Sequence, residues 1–291
     1  MSFYVPRPGE TLSHDIADFP EGIVLPIDKP YRWTSADVIR KLKWKAIRHF
    51  GKKNLKVGHA GTLDPLATGV LLVCIGDACK KAQQLQDHDK EYIARIRFGA
   101  TTPSYDLEKD VDRRFPFEHI TVDAVRTALP AFLGEQEQVA PLFSAKSVDG
   151  VRAYELARKL YRTGRLDELD AAALDTLQRN RINITELELL DFVLEGDGDS
   201  VRGACLPRTL SPSPSARINV ADTSALGLPE AAIRIACSKG TYIRAFARDL
   251  GEALGSGAHL SGLIRSRSGD FRVEDALSLD QALSLFRFDS L

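Results

Sequence analysis

Structural signals are densest in the stretch Gly58-His59-Ala60-Gly61-Thr62-Leu63-Asp64-Pro65-Leu66-Ala67-Thr68-Gly69. Its three glycines permit tight backbone geometry. Asp64 precedes a proline, and Asp-Pro is a common helix start, with Asp as the N-cap and Pro at the first helical position. A loop carboxylate on a rigid scaffold can also do chemistry, and the two roles are compatible. Asp64 is therefore a candidate cap and a candidate catalytic residue.

The segments around this stretch indicate further strands and helices. Val70–Ile75 is apolar and bounded by glycines, which is typical of a buried strand. Thr34, with Asp37 three positions later, predicts a capped helix that continues at helical spacing to Phe50. Other predicted strands are Ile23–Ile27, Glu91–Gly99, Ile182–Leu194 and Ala231–Cys237. Other predicted helices run from Asp77 to Leu85, from Thr121, over Val151–Leu160 and Leu166–Leu177, and from Thr241. The irregular mixture of strands and helices predicts the α+β class.

Length and composition exclude several classes of protein. The 291 residues suggest about two domains, or one large domain with insertions. The longest apolar run is far shorter than the roughly 20 residues of a membrane helix, and the N-terminus lacks a signal pattern. The four cysteines show no C-x-x-C and the six histidines show no H-x-x-x-H, which argues against a disulfide scaffold or a zinc site. We therefore expect a cytoplasmic protein without a metal.

A block of positive charge precedes the glycine-rich stretch. The whole chain has a net charge of −1, yet no acidic residue lies between Val38 and Leu63. The basic residues of this block are Arg40, Lys41, Lys43, Lys45, Arg48, Lys52, Lys53 and Lys56. Such a block is either a solvated helix face or a local field for a phosphate backbone, and the sequence supports both interpretations.

A second candidate site lies at Cys237-Ser238-Lys239-Gly240-Thr241-Tyr242-Ile243-Arg244, where a strand, a turn and a helix meet. Arg244 falls where the helix dipole disfavours a cation, so either a carboxylate partner holds it or it is a surface arginine. By periodicity alone, Tyr92 belongs to the apolar face of its strand and Lys29 to a turn. The sequence lacks a P-loop, a nucleophile elbow and a metal motif, which indicates chemistry without a cofactor.

The stretch Gly58–Gly69 resembles the signature of the TruB family of pseudouridine synthases. Further segments resemble motifs of this family in the same order. They are Leu25–Pro30 with Thr34-Ser35, Asp89–Tyr92, Val139–Pro141 with Ser144–Lys146 and Gly150–Arg158, Cys237–Arg244 with Asp249–Gly251, and Gly257–Leu260 with Leu263. The resemblance covers most of residues 23–195 and 231–272.

The resemblance implies a pseudouridine synthase fold, with a mixed, mostly antiparallel central sheet flanked by helices and an inserted RNA-clamping segment. The expected divisions are an N-terminal arm at 1–22, a catalytic domain at 23–273 with the insertion at about 140–180 and a mobile loop at about 196–230, and a short helical tail at 274–291. Only about twenty residues follow Gly269. The C-terminal PUA-type domain that is common in the family is therefore expected to be absent.

The resemblance also implies roles for single residues. Asp64 would be the catalytic aspartate, either as a nucleophile at ribose C1′ or as a base at C2′. Arg244 would pair with Asp64, Tyr92 would stack on the target base, and His59 would fill the gap that the flipped nucleotide leaves. The implied substrate-binding residues are Tyr92, Arg244, Leu263, Tyr242, Lys29 and His59. The candidates for contact with the RNA backbone are Arg40, Lys41, Lys43, Lys45, Lys52 and Lys53.

The implied function is the isomerisation of uridine 55 in the T loop of tRNA to pseudouridine, without a cofactor. The expected partner is the T-arm stem-loop, and we expect a monomer with no membrane contact and no obligate protein partner. Two alternatives remain open: a tRNA-folding chaperone whose chemistry is dispensable, and a pseudouridine synthase that acts on another RNA.

Overall fold

The structure, a computed structural model, describes residues 3–141, 147–148, 151–152, 179–195 and 218–287. These residues contain five α-helices: α1 (Ser35–His49), α2 (Ala82–Asp87), α3 (Val122–Ala128), α4 (Ile243–Ala253) and α5 (Leu279–Ser284). The strands are β1 (Ile23–Lys29), β2 (Val57–Ala60), β3 (Ala67–Ile75), β4 (Lys90–Phe98), β5 (Ala100–Thr101), β6 (Arg113–Arg114), β7 (Gly134–Val139), β8 (Ser147–Val148), β9 (Val151–Arg152), β10 (Arg179–Val193), β11 (Glu230–Cys237), β12 (Ala258–Ser268) and β13 (Phe271–Arg272). In this part of the chain, no helix combines the length and the apolar character needed to cross a bilayer.

The described residues divide into two compact units that interleave along the chain. The first unit takes residues 3–93, 218 and 263–287, and the second takes the remaining described residues between 94 and 262. Strands β4 and β12 each contribute residues to both units.

The sheet of the first unit is built on β3. Strands β1 and β2 pair with β3 in antiparallel fashion, and β12 pairs with it in parallel. Because side chains alternate along a strand, β3 serves two apolar layers. Leu71, Val73 and Ile75 belong to the cluster that includes α1 and α5, whereas Leu72 and Cys74 belong to a second cluster. Every residue of β3 is buried, which explains its continuous apolar sequence.

Helix α1 forms for the local reasons that the sequence indicates. Thr34 and Asp37 make the predicted capping box, in which each side chain accepts a hydrogen bond from the other residue's backbone N–H. Val38, Leu42 and Ala46 are fully buried and fix the helix against β1 and β3. The basic side chains therefore lie on the solvent side, as their spacing predicts.

The second unit contains the strand order β12–β4–β11–β10–β7, in which β10 is antiparallel to both β11 and β7. The polar face of β4 is buried here, because Arg95 and Arg97 share the carboxylate of Glu230. The two units together confirm the predicted α+β class with a mixed, mostly antiparallel sheet.

Two local predictions are wrong. Asp77 caps no helix, because its carboxylate accepts a hydrogen bond from Lys80 and a 3-10 helix already begins at Gly76. Val151 does not start a helix, since β9 pairs with β8 in a hairpin. Residues 3–22 of the expected arm contain one short 3-10 helix, and Leu12 and Phe19 are buried in the first unit's core.

Several predicted segments lie outside the described residues. They are most of the insertion at about 140–180 with the remainder of its two helices, and residues 196–217 of the predicted mobile loop. The later part of that loop is not a surface segment, because Ile218, Ala221 and Leu228 are buried. In the predicted C-terminal tail, α5 forms the expected helix and joins the first unit's core.

Candidate active site

Asp64 lies in a tight turn that leads directly into β3. The backbone N–H of Ala67 donates to the carbonyl of Asp64 at 3.1 Å, and β3 begins at Ala67. The interpretation of Asp64 as a helix cap is therefore wrong. All nine residues of β3 are buried in the sheet, so strand pairing outweighs the local helix-start signal of Asp-Pro. The Asp64 side chain is half-buried.

Lys29 supports this turn through a hydrogen bond to its backbone. Its side chain is fully buried at the end of β1. The ammonium donates to the carbonyls of Pro30, Trp33 and Pro65 at 3.0, 2.6 and 3.2 Å. Three carbonyl acceptors match the three N–H groups of a protonated lysine. Lys29 thus ties the end of β1 and the entry to α1 to the proline that follows Asp64.

The protonation of Lys29 responds to two opposing effects. Burial lowers the pKa of Lys29 to about 7, while the carboxylate of Asp64 acts in the opposite direction by stabilising the ammonium. The buried lysine and Asp64 are therefore electrostatically coupled. Removing the charge of Asp64 would therefore lower the proton affinity of Lys29.

The lowered pKa of Lys29 predicts a pH-dependent stability. Between about pH 7 and 10.5 the unfolded chain retains a proton on Lys29 that the folded protein releases. The free energy of unfolding should therefore rise with pH in this window, by at most about 1.4 kcal/mol per pH unit from this group. Urea unfolding across the window should show a smaller pH slope for Lys29→Met than for the wild type, and an unaltered slope for the exposed control Lys53→Met. Equal slopes for all three proteins would contradict the assignment.

Arg265 also holds this turn through hydrogen bonds to backbone carbonyls. Its guanidinium is fully buried and donates to the carbonyls of Gly61, Thr62 and Val70 at 3.1, 3.4 and 2.7 Å. These carbonyls flank Asp64 on both sides in the chain. The planar guanidinium presents its N–H donors in a rigid fork, so it holds these carbonyls in a defined geometry. The sequence reasoning missed Arg265, which lies two residues after Leu263 in the segment that resembles the family.

Two further contacts fix the turn. The hydroxyl of Ser35 donates to the carbonyl of Leu63 and accepts from the N–H of Leu63, at 3.1 and 3.0 Å. Gly69 has φ of 94°, and a Cβ there would meet the carbonyl oxygen of Arg265 at 2.2 Å. Only glycine therefore permits β3 and β12 to approach each other beside the turn.

The other predicted residues of the first unit lie on three of its strands. His59 lies on β2, and burial lowers its pKa with a smaller contribution from the positive charge of Arg265. Its imidazole is therefore neutral at pH 7. Tyr92 on β4 and Leu263 on β12 are half-buried and pack against the same apolar cluster. Leu263 pairs in register with Ala67, the last residue of the Asp64 turn.

The remaining two predicted residues belong to the second unit. Arg244 lies in the first turn of α4 and is buried. Its Nη1 donates to the carbonyl of Ser104 at 3.1 Å, and its Nε is 3.8 Å from the carboxylate of Asp106. A carboxylate therefore accompanies this arginine, as the helix-dipole argument requires. The pairing of Arg244 with Asp64 stays a prediction.

Asp106 itself is held in a defined orientation. Its Oδ1 accepts from the hydroxyl of Ser104 and from the N–H of Glu108, at 2.6 and 2.9 Å. Tyr242, just before α4, is positioned by Gln138. The backbone N–H of Tyr242 donates to the side-chain oxygen of Gln138, and the side-chain nitrogen of Gln138 donates to the carbonyl of Tyr242. Sequence reasoning did not select Asp106 or Gln138.

Comparison with known proteins identifies the family. Residues 48–195 match the sequence profile of the TruB family pseudouridylate synthase (N terminal domain). The chain belongs to the TruB family of pseudouridylate synthases. The tRNA pseudouridine synthase B of Phocaeicola vulgatus is 48% identical over 263 residues, which cover 90% of this chain and 92% of that protein. That of Deinococcus radiodurans is 38% identical over 262 residues, or 88% of this chain and 77% of that protein.

Solved structures share the fold of this TruB-family chain. A Cbf5-Nop10-Gar1 complex matches with a TM-score of 0.55 and 23% identity, covering 91% of this chain and 54% of the matched chain. An H/ACA RNP bound to a substrate RNA containing 2′-deoxyuridine matches with a TM-score of 0.53 and 22% identity, covering 91% of this chain and 53% of the matched chain. The chain thus spans about half the length of these two chains.

The predictions of family, fold and enzyme class are confirmed by these comparisons. The protein is a pseudouridine synthase, an isomerase. The roles assigned to single residues stay predictions. Five of the seven residues predicted for catalysis and substrate binding lie in the first unit and two lie in the second.

Proposed function

We propose that this enzyme isomerises uridine 55 in the T loop of tRNA to pseudouridine, with Asp64 as its catalytic carboxylate. Relatives at 48% and 38% identity are named tRNA pseudouridine synthase B. The observation that carries the proposal is the Asp64 turn. Lys29, Ser35 and Arg265 fix this turn through hydrogen bonds to its backbone carbonyls. A half-buried carboxylate on so rigid a support meets the requirement that a catalytic group be held in place before the substrate arrives.

The reaction balances without a cofactor. The bond from ribose C1′ to uracil N1 breaks, the ring turns, and a bond from C1′ to C5 forms. C5 loses its proton and N1 gains one, so nothing is oxidised or reduced. One ionised carboxylate is sufficient, either as the nucleophile at C1′ or as the base at C2′. The target nucleotide must leave its stack first, at a cost of a few kcal/mol.

The apolar residues near Asp64 fit the needs of a detached base. Uracil must stay in the site while it turns, and water must stay out. Tyr92 and Leu263 offer a ring and an aliphatic surface from the same apolar cluster. We infer that Tyr92 stacks on the uracil, that Leu263 packs against it, and that the neutral His59 occupies the space beside the flipped nucleotide. The substrate-binding roles of Tyr242 and Arg244, which belong to the second unit, stay predictions.

The proposal predicts release of tritium from a single uridine. A T-arm stem-loop RNA labelled at uracil C5 should release tritium when uridine 55 is present. It should release none when that uridine is replaced by cytidine and the label sits on the other uridines. The matched control is a stem-loop with the same replacement at a different uridine of the loop, which should remain a substrate. Release that does not depend on uridine 55 would assign the enzyme to another target.

The same assay separates the open alternatives. A tRNA-folding chaperone would bind the stem-loop and release no tritium. A synthase for another RNA would leave the stem-loop unmodified but would release tritium from a different labelled RNA. The H/ACA structure with a similar fold is a ribonucleoprotein complex and not a single chain. The expectation that this chain has no obligate protein partner therefore stays a prediction. Release by the purified chain alone would support it.

A further inference from the structure

The structure sorts the basic residues near α1 into two groups. Arg40 pairs with Asp37 at 2.7 Å, Lys41 lies over the ring of Trp33, and Arg48 stacks on Trp44 with its guanidinium 3.7 Å from the ring centroid. The charges of this first group are thus already engaged, by a carboxylate for Arg40 and by aromatic rings for Lys41 and Arg48. The second group surrounds a cleft.

The cleft is bordered by the middle of α1, the segment 53–58 and the 3-10 helix at 76–81. Its volume is about 450 Å³, and Lys43, Lys53 and Lys56 line it together with Gly58 and Cys79. All three lysines are exposed. We refer to this feature as the lysine cleft.

The lysine cleft carries a concentrated positive field. Burial raises the pKa of the Cys79 thiol, and the charges of Lys56 and Lys43 act against this effect. A hydrogen bond from Lys80 lowers the pKa of the Asp77 carboxyl, with smaller contributions from Lys52 and Lys56. The cleft and its rim therefore contain several ammonium groups beside the carboxylate of Asp77. Such a concave, cationic site favours a polyanion, since clefts lined by one sign of charge focus the field.

The chain places the cleft close to the catalytic turn. Gly58 lines the cleft and precedes Asp64 by six residues, so their Cα atoms are at most about 22 Å apart. An RNA whose target uridine reaches Asp64 therefore has backbone phosphates within reach of the cleft.

We propose that the lysine cleft binds backbone phosphates of the substrate RNA beside the target loop, through Lys43, Lys53 and Lys56. This inference rests on the proposed function, because it takes the RNA that presents its uridine to Asp64 as the occupant. It differs from the expectation for the whole basic block, since Arg40, Lys41 and Arg48, whose charges are paired or stacked on rings, are assigned a minor part.

The test compares the salt dependence of RNA binding. Three charges are removed from the cleft in Lys43→Gln/Lys53→Gln/Lys56→Gln, and three from the other side of α1 in Lys41→Gln/Lys45→Gln/Arg48→Gln. The slope of log K against log salt for the T-arm stem-loop should fall by about 2 in the cleft variant, since each phosphate contact contributes about 0.7 to 0.9. It should fall by less than half as much in the control. Equal or reversed changes would overturn the proposal, as would an unchanged slope in the cleft variant.

Two further measurements probe the same site. Asp77→Asn removes a carboxylate from the rim and should tighten binding of the stem-loop, whereas weaker or equal binding would count against the cleft. Cys79 is a natural probe, because it is half-exposed in the cleft whereas Cys74 and Cys237 are buried. Bound stem-loop should slow the alkylation of Cys79, which peptide mapping resolves from other cysteines. Alkylation at the same rate with and without RNA would overturn the proposal.

The outcomes distinguish this proposal from the proposed function. If the wild type releases no tritium from the stem-loop, the proposed function fails whatever the slopes are. If the wild type releases tritium and the cleft variant binds with the wild-type slope, only the lysine cleft is wrongly assigned. An acidic protein as the true occupant of the cleft would give this second result.

Discussion

Asp64→Asn should abolish tritium release from the T-arm stem-loop, with a rate about 10³-fold or more below that of the wild type. The substitution preserves the size and shape of the side chain and removes its negative charge. An amide can neither attack C1′ nor accept a proton from C2′, so both versions of the mechanism fail. Binding of the stem-loop should change by less than about threefold, because phosphate contacts dominate RNA affinity.

The control for this experiment is Asp123→Asn in α3. Asp123 is an exposed aspartate that pairs with Arg126, and its replacement removes the same charge from the protein. Tritium release by this variant should equal that of the wild type. Substantial release by Asp64→Asn would end the assignment of Asp64 as the catalytic carboxylate.

Asp64→Asn should also change the pKa of Lys29. The carboxylate of Asp64 supports the ammonium of this buried lysine. Its loss should therefore lower the pKa of Lys29 further and weaken the three hydrogen bonds to carbonyls at neutral pH. We expect the stability of Asp64→Asn to increase with pH over a window that starts lower than in the wild type.

Arg265→Met should impair catalysis by an enzyme that still binds RNA. Methionine fills a similar volume but donates no hydrogen bond, so the carbonyls of Gly61, Thr62 and Val70 lose their partner. Leaving buried acceptors unsatisfied costs about 1–3 kcal/mol of stability. A displacement of the Asp64 turn by about 1 Å should lower kcat by about 10²-fold.

The control for Arg265 is its neighbour on the same strand. Arg267→Met removes an arginine whose hydrogen bond goes to the carbonyl of Gly269, away from the turn. This variant should keep a kcat close to that of the wild type. Arg265→Lys should recover part of the stability but little of the rate, because a single ammonium cannot span the same three carbonyls.

Single-turnover kinetics at saturating RNA would provide the measurement. A positioning role predicts a fall in kcat with little change in RNA affinity. If Arg265→Met were less stable but its folded fraction turned over at the wild-type rate, Arg265 would support only the fold.

Much of the fold was accessible from the sequence because its signals are local. The capping box of Thr34 and Asp37 lies within four residues, and the apolar run at Val70–Ile75 is continuous. The signature at Gly58–Gly69 also lies in one contiguous segment, so the family and the candidate carboxylate follow from it directly. Each of these features requires only neighbours in the chain.

The sequence could not predict which distant groups hold the candidate site residues. Arg265 and Gly61 are 204 residues apart, and Arg244 and Ser104 are 140 residues apart. Nothing in the local pattern of either arginine tells which carbonyls it will meet. The same applies to Lys29, which looks like a turn residue and is in fact fully buried.

The sequence by itself determined the family, the enzyme class, most strands and helices, and the choice of Asp64, because these depend on short patterns of adjacent residues. Only the tertiary structure decided that Asp64 lies in a turn before a strand rather than at a helix start. Only the tertiary structure grouped Lys43, Lys53 and Lys56 around one cleft. The physical reason is that strand pairing and burial join distant segments, and their combined free energy exceeds the small preferences of any local sequence.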